Sequence, residues 1–71
     1  MNRFLLKALI TKLEGEIAVA KANVKVYINN STGIGEHPDL VEAIETQIEI
    51  IANAEEKVDI INKHFFDGAK A

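Results

Sequence analysis

Leu6, Ile10, Leu13, Ile17, Ala20, Val24 and Tyr27 follow one another at alternating spacings of four and three through the first half of the chain. Side chains so spaced fall on one face of a helix, because about 3.6 residues complete a turn. A second apolar stripe runs through the other half: Leu40, Val41, Ile44, Ile48, Ile51, Ala54, Val58, Ile61 and Phe65. Between the two lies the turn chemistry, Asn29-Asn30-Ser31-Thr32-Gly33-Ile34-Gly35-Glu36-His37-Pro38. The pattern predicts an all-α fold: an antiparallel two-helix hairpin whose inner faces draw a second copy into a four-helix bundle.

The 71 residues make one domain, with a helix over about 2–28, a turn over about 29–37 and a helix over about 38–67. Asn2 is a good N-cap for the first helix, and Asn29, Asn30 and Gly33 suit its left-handed exit. Gly35 adds a second backbone hinge. Pro38 has the fixed φ wanted at the first helical position, and His37, pushed extended by the proline, takes the N-cap. Asp39, Glu42 and Glu45 then stand near the positive end of that helix and Lys63 and His64 near its negative end. Gly15 interrupts the first helix at a cost of about 1 kcal/mol relative to Ala, as a point of close approach for a neighbouring helix or as a weak point. Asn23-Val24-Lys25-Val26-Tyr27-Ile28 alternates with period two like a strand. A lone strand would find its partner only in another chain, so helix is the expectation there.

A chain this short is near the lower limit for a self-sufficient core, and without Cys it has neither disulfide nor thiolate metal site to staple it. Its hydrophobic fraction is 48% with 6% aromatic, so Ile, Val, Leu and Ala supply the burial. Two helices alone cover one seam and leave the rest of their apolar surface wet. The expected interface is therefore Leu6, Ile10, Leu13, Ile17, Ala20, Val24 and Tyr27 with Ile44, Ile48, Ile51, Val58, Ile61 and Phe65, and the expected partner is a second copy. Val19, Ala22 and Val26 form a side stripe suited to an intersubunit contact. Aspartate at Ile17 or Ile51 is expected to abolish assembly by burying an unpaired charge. Charge divides between the halves: residues 1–30 carry five basic and two acidic side chains, residues 36–68 two basic and nine acidic. Opposite signs favour laying the two helices side by side, as a device of specificity more than of stability.

Candidate chemistry is sparse. His37 and His64 lie at opposite ends of a hairpin, roughly 40 Å apart by helix rise, too far to share a metal within one chain. His37 with Glu36 and Asp39 reads as a turn and cap cluster. Glu55, beside Ile51, Ala54 and Val58, is the carboxylate nearest apolar surroundings and reads as an edge residue paired to a lysine of the first helix. Asn62, if it faces the seam, would fix register. Gly33-Ile34-Gly35 lacks the strand and lysine of a phosphate loop, and Ser31 and Thr32 lack a partnering base. Asn29-Asn30-Ser31 and Asn30-Ser31-Thr32 match the glycosylation pattern but read as turn chemistry in a chain with no secretory signal. No catalytic, cofactor or metal site and no small-molecule substrate is expected, and the chain is not expected to be an enzyme. No segment has the roughly 18–20 apolar residues of a membrane span, so a cytoplasmic protein is expected. Arg3, Lys7 and Lys12 offer a weak basic face for nucleic acid or a membrane surface, which the acidic second helix opposes.

Val26-Tyr27-Ile28-Asn29-Asn30, followed by Gly33-Ile34-Gly35-Glu36-His37-Pro38-Asp39-Leu40 and by Ala54-Glu55-Glu56-Lys57-Val58, resembles a group of small proteins of tailed marine phages, cyanophage-type. The resemblance runs from about Ile17 to Phe65 and leaves the residues up to Glu16 unmatched. It implies a phage-encoded chain in a bacterial cytoplasm and brings no activity with it. Two functions are expected on this footing: a non-enzymatic oligomerisation module, or a phage effector or assembly factor that binds a host or virion protein.

Overall fold

A computed structural model describes residues 3–29 and 37–66. Two helices, α1 (Phe4–Asn29) and α2 (His37–Ile61), pack along their lengths, and α2 runs on into a π-helical turn at Asn62–Phe66. Arg3, just before α1, lies beside Phe66, and Asn23 beside Gln47, so the helices run antiparallel as a hairpin. Residues 23–28 belong to α1, and no strand occurs among the described residues. Their period-two alternation coexists with the helical stripe, because Val24 and Tyr27 still fall on the inner face.

Helix α1 starts with the Lys7 N–H donating to the Arg3 carbonyl at 2.9 Å, which puts Arg3 at the cap position. Asn2, the expected cap, lies outside the described residues, as do Asn30, Gly33 and Gly35. His37 and Pro38 are the first two residues of α2, and Asp39 supplies the acid in its first turn. Lys63 and His64 sit in the final π turn, where carbonyls left over at a helix end favour positive charge. Thr11 and Thr46 each donate their hydroxyl to the carbonyl four residues back, at 3.0 Å, which satisfies them without leaving the helix.

Leu13, Ala20, Ala54 and Ile61 are buried. Leu13, Ala54 and Ile61 form one cluster, against which Leu6, Ile10, Ile17, Val58 and Phe66 pack. This core sits toward the open end of the hairpin, far from the turn. Over the ring of Phe66 the Arg3 guanidinium stands 5.2 Å from the centroid, a cation–π contact that lids the cluster.

Two expected seam residues of α2 point elsewhere. Ile48 is 51% exposed, and Gln47 takes the inner position. From Ile44 to Ile51 is seven residues, so the stripe can step through either 47 or 48; the helix takes the three-residue step first, and Ile48 turns outward. Phe65 is 57% exposed, and Phe66 packs on the core instead. Here the π turn is the cause. It closes i→i+5 hydrogen bonds and so admits one extra residue, which delays the return to the inner face from four residues after Ile61 to five.

Candidate interaction surface

The expected α1 residues all lie against α2: Leu13 and Ala20 buried, Leu6, Ile10, Ile17, Val24 and Tyr27 half-buried. On α2, Ile61 is buried and Ile44, Ile51 and Val58 are half-buried. These side chains are thus spent on holding one chain's two helices together. A surface for another chain has to be sought on the flanks of the seam.

One flank carries an open groove of about 750 Å3. Lys12, Gly15, Glu16 and Val19 of α1 form one wall and Ile50 of α2 the other, with Ala20 and the Asn23–Gln47 pair along the floor. Asn23 donates from Nδ2 to Gln47 Oε1 at 3.0 Å, a polar link between the helices. Two half-buried amides that satisfy each other fix which turn of α1 faces which turn of α2, since sliding by a turn would strand both. Asn62, the residue expected to set register if it faced the seam, is exposed. The signal for the observed pair was present: Asn23 stands three residues after Ala20, and Gln47 three after Ile44 and four before Ile51.

At the groove's rim Lys12 Nζ donates to Glu16 Oε2 at 2.6 Å, one helical turn apart. The Glu16 carboxyl is held below its ordinary range, first by the Lys12 hydrogen bond, then by the Lys12 charge and more weakly by Lys57 of α2. Gly15, between them, has open space where a Cβ would stand, with nothing within 4 Å beyond its chain neighbours and the backbone of its own helical turns. Its small size therefore serves no contact between α1 and α2.

The other flank has a smaller recess of about 240 Å3, bordered by Glu14, Ile17, Glu55, Val58 and Asp59. Among the described residues no group of three or more His, Cys, Asp or Glu is placed to hold a metal ion. Glu55, expected to be an edge residue, is exposed there. His64 is exposed too, its ring edge-on to Phe65 at 6.5 Å. All the buried side chains among the described residues are apolar, and among them no helix is long and apolar enough to cross a membrane.

Several large apolar side chains remain outside as well. Phe4 is 80% exposed, Leu5 77% and Val19 63%, and Leu9, Val26, Val41, Ile50 and Ile60 are exposed as well. Comparison of the chain with protein-family models, with curated proteins and with solved structures gives no match.

Proposed function

We propose that this chain is a non-enzymatic interaction module whose working form is a homodimer, two hairpins joined into a four-helix bundle. The observation that carries the reading is unspent surface. The chain exposes 5500 Å2, where a compact monomer of its 7.8 kDa mass exposes roughly 4,400 Å2 by size scaling. The excess, roughly 1,100 Å2 per chain, is of the order that a standard interface removes from each partner, about 800 Å2. Its large apolar members, Phe4, Leu5, Val41 and Val19 among them, support a second copy as the cover for this surface.

Sedimentation equilibrium across a dilution series tests this. A dimer is expected at roughly 10 µM, dissociating on dilution with a micromolar or tighter Kd. A wild-type chain that is fully helical and monomeric throughout that range would remove the proposal.

A further inference from the structure

The groove flank of α1 has an order of its own. Leu5, Ala8, Lys12, Gly15, Val19, Ala22 and Val26 are spaced three, four, three, four, three and four residues apart, a second helical stripe beside the seam. All seven are exposed. Every seventh position of the stripe is small, Ala8, Gly15 and Ala22, and the alternate series is larger, Leu5, Lys12, Val19 and Val26.

The stripe reads nearly the same in both directions about Gly15. Seven residues to either side stand Ala8 and Ala22, three and four residues away Lys12 and Val19, ten and eleven away Leu5 and Val26. A patch that matches its own reversal is what a two-fold axis perpendicular to a helix requires. Gly15 answers no contact with α2, and its open side leaves room for a second backbone to come close. Charge agrees. The 3.6-residue repeat turns Lys7, Glu14, Lys21 and Lys25 toward the opposite flank, so of the α1 charges Lys12 stands in the stripe and Glu16 beside it, with Lys57 of α2 near enough to act on Glu16. Reversed about Gly15, the Lys12 of each copy lies within about two residues' rise, roughly 3 Å, of the level of the other's Glu16. Two lysines and two glutamates then alternate around the axis.

We infer that the occupant of this flank is α1 of a second copy, running antiparallel, with the two Gly15 residues on the two-fold axis and the α2 helices outside. The inference rests on the dimer proposed above and specifies its contact: Ala8 faces the partner copy's Ala22, Leu5 its Val26, and the stem of Lys12 covers its Val19. The resulting pair of small-residue ridges lets the two α1 backbones approach more closely than leucine-lined helices do.

The chain has no native cysteine, so single cysteines report on the pairing directly. Gly15→Cys, Ala8→Cys, Ala22→Cys and, on the opposite flank, Val41→Cys are each oxidised mildly in the full-length chain and resolved under non-reducing conditions. Circular dichroism and sedimentation are recorded on the reduced forms. A disulfide needs Cα atoms within about 7 Å, so Gly15→Cys should give at least about tenfold more linked dimer than Val41→Cys. Ala8→Cys and Ala22→Cys should link poorly alone, being about 21 Å apart along the helix from their own copies, and well when mixed with each other. If Ala8→Cys and Ala22→Cys each link to themselves as readily as Gly15→Cys, the helices run parallel and the inference fails. If the chain sediments as a dimer but Val41→Cys is the variant that links, the face is wrong while the dimer stands. A monomer by sedimentation in every reduced form, wild type included, overturns the inference and the dimer together.

Discussion

Asn23 and Gln47 form a pair whose value is better tested by deletion than by inspection. Leucine at Asn23 alone leaves the Gln47 amide half-buried without its donor, and should lower stability by about 1 kcal/mol in urea denaturation. Leucine at both positions should recover most of that loss, since neither amide is then stranded. The recovered variant should also show more than one association state by sedimentation, because the device that fixes register has gone. Glu16 offers a second residue-scale test. Its carboxyl titrates below the ordinary value because the charged form accepts the Lys12 hydrogen bond. A group whose folded-state value is depressed adds stability above its unfolded value and loses it as pH falls through the folded one. Acidification through the carboxylate range should therefore lower Tm, and Lys12→Met should blunt that fall and return the Glu16 titration, followed by NMR, toward the ordinary range. Both side chains are substantially exposed, so the effect is a small one.

At the scale of the elements, the π turn makes neighbouring phenylalanines unequal. Phe66→Ala removes a ring that packs on the Leu13–Ala54–Ile61 cluster and takes away the surface under Arg3, and should cost about 2 kcal/mol or more. Phe65→Ala, at an exposed position, should stay within about 0.5 kcal/mol. Chemical denaturation of the two variants side by side decides it. Here the reach of the sequence is visible. Helix α1 was legible because a single 4-3 series, from Leu6 to Tyr27, has no competitor on its inner face. Helix α2 was less so, because hydrophobicity prefers Ile48 to Gln47 where the register prefers Gln47, and periodicity assumes a constant turn that Asn62–Phe66 does not keep. The groove was partly visible in Val19, Ala22 and Val26. Gly15 could not be assigned to it from spacing alone, since a glycine at that point looks the same whether it faces α2, solvent or another chain.

For the whole molecule, folding and association separate cleanly between positions two residues apart. Ile17 is half-buried against the core, so Ile17→Asp should abolish the helical circular dichroism of the chain itself, with loss of assembly as a consequence. Val19, 63% exposed, faces the groove; Val19→Asp should keep the hairpin's helix content at high concentration and weaken dimerisation by at least about tenfold. A chain with both properties intact after Val19→Asp would leave the groove without a role. The hairpin is 53 Å long and 17 by 14 Å across, with a radius of gyration of 16.2 Å against roughly 11 Å for a compact domain of its length.

Its burial is also lopsided, gathered where Arg3 meets Phe66 rather than beside the turn. That placement has a kinetic consequence. The core contacts join residues some forty to sixty positions apart, so the hairpin gains little of its stability by zipping up from the turn. It must first close more than half its length as a loop, an entropic cost that grows only as the logarithm of that length. Lengthening the connection between α1 and α2 by a few glycines should then slow folding little. Joining residues 3 and 66 through a short linker and opening the chain between the helices should speed it, because the same core would become local. A permuted chain reading α2 then α1 is accordingly expected to refold faster in stopped-flow than the natural order.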